Sequence, residues 1–411
     1  MAYISFGEYN SLYKYMWLFV LFQVIYEYLF GSGLPEKIKI KYSLQFPKTI
    51  LVQETFNFVF MIIFSYILWR VELNKNKTIP KSSPKLKETA SEIPYIVYKY
   101  QNNLNAITVK YFFLIIFLLY FSSQLIVILC YSGLKELDFW MLEIVFICYI
   151  TIITFNMPIY NHKKIAIFII IVFGIIFKVL SIINILNDEK DKKIYKDYIW
   201  IMPIGIIVFM LITLLRGYSY CKLKWIFDIK YISIFKLLSM YGIFGSIFCF
   251  IGSLMSSIIR CADQEKNQYI EYICKKNKNG NRYFDHFMIF FENIFNKEKW
   301  YIYTFLELIE IALSFLNNLF MMQIIKYLNP EYLVCSKYIK YFICQLIMFI
   351  IDYDIKKIYD LLAQFFSILA SLIYLEFIEL LCYQLNYNLK KNIKKEQKKI
   401  LMIFHFMILI I

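Results

Sequence analysis

Leu328-Asn329-Pro330-Glu331-Tyr332-Leu333-Val334-Cys335-Ser336-Lys337-Tyr338-Ile339-Lys340-Tyr341-Phe342 joins two apolar stretches, Trp300–Met322 and Tyr332–Ile351, each long enough to cross a bilayer. A spanning helix needs about 20 mostly apolar residues at about 1.5 Å rise each. Asn329-Pro330 predicts a break between the two, because proline removes a backbone donor and clashes with the preceding turn. Lys340 then falls about ten residues into the second helix, near the bilayer midplane. A charge at that depth costs on the order of 2.5 kcal/mol or more on insertion scales. Such a residue is paired, reaches for the interface, or works.

The rest of the chain has the same texture. Of 411 residues, 60% are hydrophobic and 20% aromatic, and the mean hydropathy is +0.56. A soluble domain is closer to half apolar, so the chain belongs to the membrane class. The net charge of +15 is carried in the connections between apolar stretches rather than along one face. That is the pattern of basic loops at anionic leaflets, and it argues against a nucleic-acid partner. The partner it implies is the lipid bilayer.

Nine cysteines make no CxxC pair and no Cys/His cluster at metal spacing. The three histidines, His162, His286 and His405, leave little for a metal site or a histidine-based catalyst. No metal, no cofactor and no enzymatic activity are expected. Without a GxxxxGK[ST] phosphate loop, ATP-driven pumping is not expected either.

Ten stretches fit the spanning template: Tyr15–Phe30, Ile50–Trp69, Val109–Cys130, Phe139–Phe155, Ile165–Leu186, Tyr198–Leu215, Phe235–Ile258, Trp300–Met322, Tyr332–Ile351 and Leu361–Leu381. The expected fold is an all-α integral membrane protein. The mixed-charge connector 187–197 divides the ten into five and five. Each half carries its long polar loop after its second span, at 71–108 in the first half (1–186) and at 260–299 in the second (198–384). An odd number of helices per half inverts the second copy, so the pattern predicts two inverted five-helix repeats, the architecture of many carriers. A basic tail, 385–411, ends in a short apolar segment. Lys and Arg in the connections favour cytosolic N- and C-termini. The segment Arg216–Lys236, with Trp225, Ile226 and Ile229 among lysines, reads as a short interfacial helix.

Polar groups inside spans are the candidate site, because lipid offers them no partner. Lys340 and Glu310 lie at similar depth in neighbouring antiparallel spans. Lys178 is a second deep cation, Gln23 adds polarity to the first span, and Glu376 shares a helical face with Glu379. The functional reading is a polar cavity in which lysines hold an anionic solute and carboxylates couple a proton or cation. The alternative is a set of structural pairs, with residues near the span ends reaching for water. Cys261 and Cys274 share the 260–299 loop on the side opposite the cytosol, where a disulfide would persist. The same two thiols could equally stay free.

Pro330 followed by lysine at the tenth position, Lys340, resembles the penultimate-helix entry of the drug/metabolite transporter superfamily. The likeness is strongest to its sugar-phosphate and nucleotide-sugar branch. Ten spans in a five-plus-five inverted repeat are also that family's architecture. Two features depart from its pattern: Lys337 and Tyr338 replace small residues, and Tyr341 stands where an arginine is usual. The resemblance implies a small-molecule substrate, with Lys340 contributing to its phosphate site. Residence in endomembranes of the Golgi or ER and a homodimer fit the same reading. A non-transporting structural or assembly membrane protein is the alternative.

Overall fold

The computed structural model describes residues 6–29, 50–78, scattered positions between 114 and 122, 139–155, 160–186, 201–230, 233–258, five residues within 259–299, 300–352 and 358–378. The connector 187–197, Cys261 and Cys274, and the tail 385–411 lie outside the described residues. So does most of the Val109–Cys130 stretch.

What is described is almost wholly helical. The first helices are α1 (Phe6–Leu29) and α2 (Ile50–Thr78), followed by a 3-10 turn at Trp140–Leu142 that leads into α3 (Glu143–Phe155). Helix α4 (Asn161–Ile169) passes through a π-helical segment, Ile170–Gly174, into α5 (Ile175–Leu186). Then come α6 (Ile201–Lys230), α7 (Ile234–Ile258), α8 (Trp300–Tyr327), α9 (Pro330–Asp352) and α10 (Ile358–Tyr374). The only described strands are β1 (Lys275–Lys276) and β2 (Arg282–Tyr283), paired antiparallel.

Among the described residues, six helices are long and apolar enough to cross a bilayer: Leu51–Glu72, Asn161–Asn184, Pro203–Phe227, Ile234–Ile258, Thr304–Tyr327 and Pro330–Ile351. Large apolar side chains such as Phe168, Ile207, Ile258 and Phe305 point outward from them. A soluble protein would bury these, whereas lipid accepts them. The chain is a multi-pass membrane protein by these criteria.

The Asn-Pro break falls where expected. Leu328 and Asn329 separate α8 from α9, and Pro330 occupies the first helical position, where its missing N–H costs nothing. Two expectations need correction. Helix α6 runs unbroken to Lys230, so Arg216–Lys236 is not a separate interfacial helix. The fourth apolar stretch is α-helical only over the 13 residues of α3, about 20 Å, and its start is buried among other helices. Irregular backbone at such a position is tolerated when protein, not lipid, surrounds it.

Glycines set the closest helix approach. A Cβ on Gly242 would lie 2.8 Å from Ile62 Cγ1, and one on Gly245 would lie 2.5 Å from Phe58 Cδ1. These α7 glycines, one turn apart, let α2 and α7 meet almost backbone to backbone, as small residues do in membrane bundles.

Candidate functional site

The polar residues of the bundle sort into four clusters. The first surrounds the end of α1. The Tyr26 hydroxyl donates to Glu310 Oε1 of α8 at 3.1 Å. Its neighbour Glu27 lies 3.7 Å from the Lys340 ammonium of α9, which also sits 3.8 Å above the ring of Tyr341. From α2, Gln53 Nε2 donates to Glu310 Oε2 at 2.5 Å and to Glu307 Oε2 at 3.3 Å. Gln23 is half-buried on α1, one turn before Tyr26 and Glu27. Lys340, Glu310 and Gln23 are therefore gathered around α1. Lys340 reaches Glu27 rather than Glu310, because α1 lies between α8 and α9 at this level.

The second cluster is centred on Glu143, the first residue of α3. Its carboxylate accepts from Arg216 Nε and Nη2 of α6, both at 2.8 Å, and from Lys337 Nζ of α9 at 3.0 Å. Lys337 also donates to the Tyr220 hydroxyl at 3.0 Å. Next to it, the Tyr338 hydroxyl accepts from the Ile144 N–H at 3.2 Å and donates to the Met141 carbonyl at 2.8 Å. Adjacent residues of α9 thus hold the side chain and the backbone of one helix start. This satisfies donors that a helix N-terminus otherwise leaves open.

Lys178 and Glu376 lie along the packing of α4 and α5 with α10. Lys178 is 2.9 Å from Asp360 Oδ1, with both groups buried. Glu376 follows α10 in left-handed backbone, φ 63°, and its carboxylate is 3.4 Å from His162 Nε2. A glutamate at positive φ is strained, and the buried histidine helps hold it there. Close by, Lys163 is 3.9 Å from Glu331 and lies over the Tyr374 ring.

The five residues singled out from the sequence are therefore divided between two regions. Among those not singled out are Arg216, Glu143, Lys337, Tyr220 and Asp360. Two of them carried a signal: Leu142-Glu143-Ile144 and Tyr359-Asp360-Leu361 each set an acid among apolar residues. Arg216 gave none, because it follows an apolar run and passes for a span end. No group of three or more His, Cys, Asp or Glu among the described residues could hold a metal ion.

Compared with known proteins, the chain matches no family model and no curated protein.

Proposed function

We propose that this chain is a multi-pass carrier of an anionic metabolite, such as a nucleotide-sugar or sugar-phosphate, working by alternating access around Lys340. The observation that carries this reading is how loosely Lys340 is held. It is 5% exposed, yet its carboxylate partner is 3.7 Å away and keeps 26% side-chain exposure. Lys178 and Asp360, by contrast, close to 2.9 Å with both side chains largely sealed. A buried cation with a slack, partly exposed counter-ion can exchange that partner for a solute's anion.

The helix pairing supports two inverted five-helix repeats. Take α1, α2, residues 109–130, α3 and α4–α5 as the first repeat, and α6 to α10 as the second. Helix α2 then meets its counterpart α7, and α5 meets its counterpart α10. The contact of α1 with α9 corresponds to that of α6 with α3. Ion pairs follow the same correspondence with signs exchanged: Glu27–Lys340 joins α1 to α9, and Arg216–Glu143 joins α6 to α3. Such a relation lets one repeat rock against the other around a shared site.

The closed Lys178–Asp360 pair favours a second reading, a structural or assembly protein that transports nothing. Uptake of a labelled nucleotide-sugar and organic-anion panel into reconstituted vesicles separates the two. Saturable uptake of one anion supports the carrier, and none across the panel sinks it. Within the carrier reading we place the protein in Golgi or ER membranes, with both termini cytosolic and a homodimer as its assembly.

A further inference from the structure

We propose that Arg216, Lys337 and Tyr220 form an oxyanion-binding site, and that Glu143 is its resident occupant, displaced or joined there by a phosphate-type anion. The proposal deepens the carrier reading and rests on it for what the anion does in a bilayer. The binding itself can be tested without transport.

The geometry is that of an oxyanion cradle. The Arg216 fork meets both carboxylate oxygens of Glu143, Nε to Oε1 and Nη2 to Oε2, each at 2.8 Å. The Lys337 ammonium reaches Oε1 from a different helix at 3.0 Å and holds the Tyr220 hydroxyl at the same distance. A planar guanidinium fork with an ammonium beside it suits a phosphate as well as a carboxylate.

Charge points the same way. Two cationic side chains from different helices converge on one carboxylate, so an anion placed there meets both. Lys340, one turn further along α9, already has Glu27. An added anion is therefore favoured at Lys337 and Arg216.

Access differs between the partners. The Glu143 side chain is sealed at 1% exposure, whereas Arg216 keeps 11% and Lys337 keeps 15%. An arriving anion meets the cations, not the carboxylate. One turn from Arg216 on α6, the Thr213 hydroxyl is 1% exposed and has no hydrogen-bond partner. It is a spare buried donor on the helix that carries the fork.

The test uses the full-length protein in neutral phosphatidylcholine nanodiscs, with inorganic phosphate as the probe and calorimetry as the readout. Glu143→Gln removes the competing charge and should tighten phosphate binding at least about tenfold. Adding Lys337→Gln in that background should abolish the gain. Phosphate binding no tighter in a folded Glu143→Gln protein overturns the proposal, as does tightening that survives loss of Lys337. Should Glu143→Gln fail to fold, Glu143→Asp keeps the charge but draws it back by one methylene. It should tighten binding by a smaller factor, and an unchanged affinity overturns the proposal equally.

A second arm dopes the discs with phosphatidic acid. If doping blocks inorganic phosphate in the Glu143→Gln protein, a lipid headgroup supplies the oxyanion. If phosphate still binds, the source is a soluble ester. A vesicle panel showing no uptake while phosphate binding follows these predictions would retire the carrier reading and leave the site standing.

Discussion

Tyr26 and Glu27, consecutive on α1, reach two different helices: Tyr26 donates to Glu310 of α8 at 3.1 Å, and Glu27 faces Lys340 of α9 at 3.7 Å. One turn of α1 therefore couples the two deepest charges picked from the sequence. Movement of α1 would be felt at both.

Lys340→Ala should abolish anion uptake in vesicles while the protein still accumulates and stays monodisperse in detergent. Its partner Glu27 keeps 26% side-chain exposure, so the orphaned carboxylate is not sealed in the bundle. Loss of the protein itself would assign Lys340 a structural role. Arginine is a poor control, because its planar fork replaces a compact ammonium.

The Lys178–Asp360 pair should behave in the opposite way. Asp360→Ala leaves Lys178 buried without its 2.9 Å partner and should cost about 3–5 kcal/mol. Thermal unfolding in detergent reads this directly. The double variant Lys178→Met, Asp360→Leu should recover most of the loss, since two apolar groups need no counter-charge. No recovery would mean the pair does more than hold α5 to α10.

Tyr338→Phe removes one hydroxyl that serves both the Ile144 N–H and the Met141 carbonyl. Leaving buried backbone groups unmet should cost about 1–3 kcal/mol. Amide exchange should quicken at the start of α3 and not along α9. Uniform quickening would place the hydroxyl's effect elsewhere.

How much of this was legible beforehand depends on what each residue announced locally. Apolar length placed the helices, and Asn329-Pro330 announced its own break. Glu27 looked like a span-end residue reaching for water, yet it faces Lys340. Arg216 looked like the first charge of a loop, yet α6 carries it past Glu143. Neither relation is visible locally, because the partners lie 313 residues away for Glu27 (340 − 27) and 73 for Arg216. Asp360 illustrates the same limit. An acid beside an apolar run marks a place where something must compensate, and only the packing of α5 against α10 names Lys178.

Asn76-Lys77-Thr78 is an acceptor sequence for N-glycosylation, and α2 carries it in its last turns. With a cytosolic N-terminus this end of α2 faces the cytosol, so Asn76 should stay unmodified. A mobility shift on deglycosylation that disappears in Asn76→Gln would invert the whole orientation.

Gly245→Ala puts a methyl 2.5–2.7 Å from three carbons of the Phe58 ring. Overpacking of this kind should cost about 1–3 kcal/mol. Phe58→Leu should restore most of it in the double variant, read by thermal unfolding. Additive losses instead of rescue would show that the two side chains do not meet.

The close fit of Gly242 and Gly245 onto Phe58 and Ile62 also bears on how the protein is made. The two surfaces are about 180 residues apart along the chain, which a ribosome covers in roughly 10–40 s. Over that interval α2 sits in the membrane without the helix it fits most tightly, and lipid or a chaperone must cover its bare side. A translational pause before α7 would lengthen that exposure. The yield of correctly assembled protein should therefore depend on codon choice between the two helices more than on codon choice after them.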